Sequence, residues 1–330
     1  MKIDWLGKPY YSLNAYLRYV FGQKCYKISV DAGLSCPNRD GTKGTKGCIF
    51  CSSGGSGDFA VSGQFFCVED QIKTGISRFN KKVGEKFIIY FQAFTNTYGD
   101  TDYLRQIWTV ALDTENVVGI SIATRPDCLG DEIMNLLSDI SAYAVSMQKC
   151  VWVEMGLQTI HPETAVYIRR EYELEEYDRA LEKLSEAGVS VITHVILGLP
   201  GETDQMMFDT VSYVNEHYLG IMEKYPGYRE HQKAGKKPVH LGIKLQLLHV
   251  LKGTDLAEDY AKGCFHVLSR EHYFDLLEAC LSILDENIVI HRLTGDGPKK
   301  LLIEPKWSAD KKGVLNALTG RLNKSDATVR

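Results

Sequence analysis

The chain has 330 residues and a mass of 37.1 kDa; 44% of its residues are apolar, 24% are charged, and its formal charge is −4. That is the length of one large domain or two small ones, with enough apolar side chain for a sizeable core. No stretch approaches eighteen uninterrupted apolar residues, which excludes a membrane-spanning helix; the opening Met1-Lys-Ile-Asp-Trp5 lacks the basic and apolar run of a secretory leader, so a cytoplasmic protein is expected.

In chain order, Tyr10 to Phe21 reads as a tyrosine-rich amphipathic helix, and Tyr26-Lys-Ile-Ser-Val30 as a first strand. A cysteine-containing loop follows, then a helical stripe at Ile72, Ile76, Phe79 and Val83. Continuous β-branched runs mark strands at 86–91, 117–123, 151–155, 189–197, 243–250 and 287–293. Helical stripes run through Tyr177, Ala180, Leu181 and Leu184, through Met207, Val211, Val214, Tyr218 and Ile221, and through Tyr273, Leu276, Leu277, Cys280, Leu281 and Leu284. Strands alternating with helices predict parallel βαβ units. Six or seven are too few for a closed eight-stranded barrel, so the expected fold is α/β, a partial (β/α)6 TIM-like open barrel. Residues 1–24 form its helical N-terminal segment, 25–255 its core, and 256–330 a basic α/β extension within a single domain.

The nine cysteines, an odd number in a reducing compartment, do not suggest disulfides. Cys25, Cys67, Cys128, Cys150, Cys264 and Cys280 stand alone and read as small core residues. Cys36, Cys48 and Cys51 form a C-x11-C-x2-C clip with Pro37, Gly41, Gly44 and Gly47, a loop that can wrap around a group but cannot be helix or strand. Soft thiolates at this spacing suit zinc or an iron–sulfur cluster. A closed zinc site wants four ligands, and Cys67 is the nearest fourth. Three thiolates favour a four-iron cluster with one iron open.

Parallel α/β folds collect function on the loops leaving their strand C-termini. The cysteine loop leaves strand one there. Gln92-Ala-Phe-Thr-Asn-Thr-Tyr-Gly99, Thr124-Arg-Pro-Asp127, Gly156-Leu-Gln-Thr159 and Gly198-Leu-Pro-Gly-Glu202 leave four later strands, and each mixes Gly or Pro with polar residues.

Together these segments resemble the radical S-adenosylmethionine (SAM) superfamily, whose commonest spacing, C-x3-C-x2-C, has a much shorter first gap. The long gap, with Val153-Glu-Met-Gly-Leu-Gln-Thr159 and Gly198-Leu-Pro-Gly-Glu202, is similar to the subgroup of the Elongator catalytic subunit. Cys36-Pro-Asn-Arg-Asp-Gly-Thr42, Phe91-Gln-Ala-Phe-Thr-Asn-Thr97, Leu248-His-Val-Leu-Lys-Gly-Thr254 and His291-Arg-Leu-Thr-Gly-Asp296 resemble a bacterial branch of it. The resemblance implies that Cys36, Cys48 and Cys51 hold a [4Fe-4S] cluster and that SAM chelates the fourth iron. An electron from an external donor such as a flavodoxin or ferredoxin then yields a 5′-deoxyadenosyl radical, which abstracts hydrogen from substrate. It further implies Glu154 at the SAM ribose, Gln158 as a second polar contact, Arg170 on the methionine carboxylate and Gly198 in the turn beside adenine. An ion pair between Glu154 and Arg125 is the structural alternative for Glu154, and Arg169 competes with Arg170. The family's Gly-Gly-Glu is missing and Gln92 to Tyr98 stands in its place, leaving backbone carbonyls, Thr95 and Asn96 as candidates for the SAM amine.

His249 and Lys252 follow strand six and are candidates for a substrate pocket, whereas His194 and His291 read as core residues. The subgroup's members imply tRNA, with a wobble uridine as target. Residues 291–330 hold nine Lys and Arg against four acids, a possible RNA surface; the basic stretch at 223–240 reads as a solvated insertion. Two alternatives remain: a radical SAM enzyme acting on a small molecule or peptide, and a zinc-bearing α/β binding protein using Cys36, Cys48, Cys51 and Cys67.

Overall fold

A computed structural model describes residues 5–55, 67–79, 85–229, 239–295 and 297–329. The sheet is built from β1 (Cys25–Val30), β2 (Lys86–Phe91), β3 (Val117–Thr124), β4 (Cys150–Gln158), β5 (Ser190–Leu197), β6 (Leu241–Leu247) and β8 (Val289–Arg292). Each strand pairs in parallel with the one before it. The order never reverses, and β1 and β8 stand at its two ends, so the sheet curls as an open barrel rather than a doubly wound sheet. The expected six units are present, and the C-terminal extension contributes a seventh parallel strand. The run expected at 243–250 is divided: after β6 the chain turns at His249, and β7 (Val250–Leu251) pairs antiparallel with β9 (Leu302–Glu304).

The helices bury one face each against the outside of the sheet. α2 (Val68–Ser77), α6 (Leu174–Glu186), α7 (Asp204–Lys224) and α9 (Arg270–Ile283) follow the predicted stripes; the Val83 end of the first stripe lies outside the described residues. α3 (Thr101–Asp113) and α4 (Asp131–Ser146) were not singled out from sequence. They show the same period, with Leu104, Ile107, Trp108, Ala111 and Leu112 buried along α3. Two short helices, α5 (Pro162–Tyr167) and α8 (Asp255–Ala261), follow β4 and β7. Three of the six lone cysteines, Cys25, Cys150 and Cys280, are core residues. Cys67 and Cys264 are exposed and Cys128 is half-buried, a correction with a local cause: Cys67 caps the start of α2, and Cys264 follows the end of α8.

The N-terminal helix is shorter than expected. The Tyr11 carbonyl accepts from the Ile290 amide, which holds the chain extended there. α1 (Leu13–Phe21) begins only after Ser12 caps it, its hydroxyl accepting from the Ala15 amide at 3.3 Å. Tyr16 and Leu17 then plug the N-terminal mouth of the barrel, packed on Cys25, Val118, Cys150, Trp152 and Ile192. The basic C-terminal tail ends in α10 (Lys311–Val329), whose Val314, Leu318 and Leu322 are buried. Arg321 pairs with Asp275 and Glu278 of α9, so this cation is a tie within the fold. Much of the basic stretch at 223–240 lies outside the described residues.

Within this plug the imidazoles of His240 and His291 stack with centroids 5.1 Å apart, and their Nε2 atoms lie 2.8 Å apart. Trp152 packs its edge against both. Gly242 leaves room for the second ring: a Cβ there would lie 2.6 Å from His291 Cδ2. Burial, and then the neighbouring His240, push the His291 imidazole well below its ordinary 6.5. The unfolded chain therefore binds this proton first, and folding stability falls as pH drops below about 6.5. The expected slope is up to about 1.4 kcal/mol per pH unit. Chemical denaturation between about pH 6.5 and 5 should show a shallower slope in His291→Gln than in wild type; equal slopes would exclude the histidine as the cause.

Candidate active site

All seven barrel strands point their C-terminal ends at one side, and there a cavity of about 490 Å³ opens, within the range of small-molecule sites. Cys36, Cys48 and Cys51 all line it. Their loop contains no helix or strand, and it is held by its own backbone and by its neighbours. Arg39 and Asp40 amides donate to the Cys36 carbonyl, the Gly47 amide to Asn38, and the Ile49 amide to Ile168 beyond β4. Gly47 has a positive φ of 74° and lies against Arg39; a Cβ there would sit 2.8 Å from the guanidinium Nε. Arg39 in turn donates to the carbonyls of Cys51 and Ser52 and stacks over Phe94. Lys43 reaches Asp127 at 2.6 Å, joining the loop to the end of β3.

The thiols are electrostatically unequal. Asn38, buried, donates its amide to Cys48 Sγ at 3.6 Å and to the Arg169 carbonyl at 2.8 Å. A hydrogen bond from Cys51, assisted by Arg125, Asn38 and Arg39, draws Cys48 down to about 7 against the opposing push of burial. Cys51, as the donor of that pair, is raised. Cys67, the fourth thiol a zinc site would recruit, is exposed at the cap of α2 and does not line the cavity. Among the described residues no group of three or more His, Cys, Asp or Glu closes on a point as a single metal ion requires.

The structure distributes the other expected residues unequally. Thr95, Glu154, Gln158, Arg170 and His249 line the cavity. Gln158 sits at a positive φ of 64° where the β4–β5 register shifts, so its side chain leaves the strand at the rim. Arg170 is buried; it donates to the carbonyls of Thr159 at 2.6 Å and Tyr172 at 3.2 Å, and lies 4.6 Å over the Tyr172 ring. Arg169 turns away and pairs with Asp255. His249 accepts or donates to Ser308 at 3.0 Å and is enclosed by Gly295 and Gly297. Three candidates are elsewhere. Asn96 is buried behind the wall, its amide bonded to the Ala93 and Ala123 carbonyls. Gly198 packs under Leu268, and Lys252 is exposed, with its amide bonded to Leu301. None of these three lines the cavity.

Glu154 has partners other than Arg125, which pairs with Asp127 instead. One Glu154 oxygen accepts from Lys27 at 2.6 Å and Ser121 at 2.7 Å. The other faces His194 at 2.9 Å and Lys244. Against the upward push of burial, Lys244 and Lys27 hold the Glu154 carboxyl well below its usual range. Burial pushes Lys244 down to about 7 and His194 to about 4, so the imidazole is neutral. His194, expected as a core residue, therefore faces the cavity. Lys27, Lys244, Tyr90 and Arg292 also line the cavity and were missed in the sequence. A signal was available: Lys27 and Ser29, like Lys244 and Gln246, alternate with apolar residues in strands that a parallel barrel normally fills with apolar side chains on both faces.

The sequence of this chain matches the Radical SAM superfamily model over residues 40–214 and the Radical_SAM C-terminal domain model over residues 241–324. The chain belongs to the radical SAM superfamily. It is 39% identical over 320 residues to the uncharacterized protein YtqA of Bacillus subtilis, covering 96% of this chain and 90% of that one. It is 24% identical over 190 residues to a tRNA uridine(34) acetyltransferase of Methanocaldococcus jannaschii, covering 57% of this chain and 30% of that relative. The structure of archaeal Elp3 from Methanocaldococcus infernus, lacking its N-terminal 46 residues, has the same fold, with a TM-score of 0.56 and 17% identity over 88% of this chain and 63% of that one. The protein is thus a radical SAM enzyme on a partial TIM-like barrel. Among the described residues, no helix is long and apolar enough to cross a membrane.

Proposed function

We propose that this enzyme holds a [4Fe-4S] cluster through Cys36, Cys48 and Cys51, binds SAM across the same cavity, and modifies a wobble uridine of tRNA. The observation that carries the reading is the convergence of those three thiols and the buried Arg170 on one cavity at the strand C-termini. The donor set suits such a cluster: three soft ligands, an amide hydrogen bond to one sulfur, and guanidinium groups nearby to offset thiolate charge. When bound, the cluster supplies one electron for the reductive cleavage of SAM, the source of the hydrogen-abstracting radical.

The chain's own residues bind, orient and seal. Arg170, braced by three carbonyls and a ring face, presents a fixed guanidinium to a carboxylate. Gln158 and Thr95 offer polar contacts on the neighbouring rim. The aromatic plug of α1 closes the opposite end of the barrel to water. The target rests on likeness to the uridine(34) acetyltransferase and not on an RNA-binding module. Mass spectrometry of tRNA nucleosides from a deletion strain and its parent tests it. A changed wobble uridine in the deletion strain is expected, and an identical nucleoside profile would rule the tRNA target out.

A further inference from the structure

Below the cysteine-lined mouth, the barrel interior carries a layer of charge. Lys27 comes from β1, Tyr90 from β2, Glu154 from β4, His194 from β5, Lys244 from β6 and Arg292 from β8, and all six line the cavity. Strand register sets three of them on one level: His194 opposes Lys244, and Lys244 opposes Arg292. Direct contacts confirm the level, since Glu154 meets Lys27, His194 and Lys244, and Lys244 lies 3.4 Å from the Tyr90 hydroxyl. Beneath the layer lies the apolar plug built on Trp152 and Ile192.

Barrel stability does not call for this layer. Branched apolar residues ordinarily fill such interiors, and replacing a buried ion cluster with them is often neutral or stabilising. The layer is also unbalanced toward positive charge. Among the described residues, Lys27, Arg292 and Lys244, whose amine burial draws down to about 7, stand here against one carboxylate, and the histidine is neutral. Lys244 is almost fully buried, with 5% of its side chain exposed, so its amine is committed to this interior.

We propose that Lys27, Lys244 and Arg292 form a subsite for a carboxylate at the leading end of the substrate, deep in the barrel. The backbone phosphate of an everted nucleotide is not the ligand that fits. Such a nucleotide enters base first and leaves its phosphate at the mouth, while Gln92 and Gln246, each two residues beyond a member of the charged layer, lie between it and the rim. The carboxylate is carried either by a free small acid or by a side chain already present on the base; only the second carrier rests on the tRNA reading.

The test uses full-length, cluster-loaded, unreduced protein, with malonate, malonamide and inorganic phosphate as calorimetric probes and SAM binding as the control. Malonate should bind and malonamide should not. Lys244→Met and Lys27→Met should each weaken malonate about tenfold or more, the effect of one lost charge-assisted hydrogen bond, with SAM affinity unchanged. If Lys244→Met does not fold, Lys27→Met alone carries the comparison. Equal binding of malonamide, binding of phosphate without malonate, or unchanged malonate affinity in the folded lysine variants would overturn the subsite. The tRNA nucleosides of the deletion strain identify the carrier: an accumulating carboxylated wobble nucleoside places the acid on the base, and its absence places it on a free molecule. Malonate binding with an unchanged nucleoside profile removes the tRNA target and keeps the subsite. No malonate binding with a changed profile does the reverse.

Discussion

Changing any one of Cys36, Cys48 and Cys51 to alanine should give, after anaerobic reconstitution, a protein that has lost its brown colour and forms 5′-deoxyadenosine no faster than the reagent blank. The reason is ligand count. Three thiols border the cavity, and the exposed Cys67 is not beside them to substitute for a lost one. Cys67→Ala should therefore retain full iron content and SAM cleavage. That contrast separates the cluster from a four-cysteine zinc site, in which all four substitutions would act alike. Iron and zinc per chain, measured beside the visible absorbance, give the readout. A colourless wild-type protein with one zinc, or a Cys36→Ala variant that still cleaves SAM, would refute the cluster assignment.

Glu154→Gln should be the most destabilising single polar substitution in the barrel, by about 3–5 kcal/mol, the usual cost of breaking a buried ion cluster from one side. The carboxylate is fully buried and faces two ammonium groups, one at 2.6 Å. Without it, Lys27 and Lys244 face each other in a poorly solvated interior. Lys244, already pushed down to about 7, then releases its proton more readily. The sign follows: the unfolded chain keeps that lysine protonated up to its ordinary 10.5, so it binds more protons than the native state, and the variant gains stability as pH rises. Urea denaturation at about pH 6.5 and about 8.5 should show the deficit shrinking at the higher pH. Lys244→Met in the Glu154→Gln background should recover part of the loss, because it removes a buried amine that folding must otherwise desolvate or deprotonate. A Glu154→Gln protein within about 0.5 kcal/mol of wild type at both pH values would mean that the layer is solvated and not an ion cluster.

The strands were legible for a physical reason. A strand buried on both faces is a continuous apolar run, and Lys86–Phe91 is bounded as the sequence predicts. Where boundaries moved, long-range pairing moved them. The Ile290 amide holds Tyr11 extended and delays α1, and the turn at His249 separates β7 from β6 so that β7 can meet β9. Lone cysteines were read by average behaviour, which fails at Cys67 and Cys264, where an exposed helix terminus places them.

The site divides along the same line. The spacing of Cys36, Cys48 and Cys51, with Gly and Pro forbidding regular structure between them, determined locally that this segment is a loop carrying three thiols. The order of strands and helices determined that the loop would lie on the rim at the strand C-termini. Arg170 over Arg169 could not be chosen by local spacing, since adjacent residues differ only in which neighbour each finds: Thr159 and Tyr172 carbonyls for one, Asp255 for the other. Nor could sequence join Lys27, Glu154 and Lys244, which stand on three strands far apart in the chain and meet only because parallel pairing sets their register across the barrel. Local chemistry thus marked the cysteine loop, while the charged interior below it arises from non-local pairing that only the curled sheet decides.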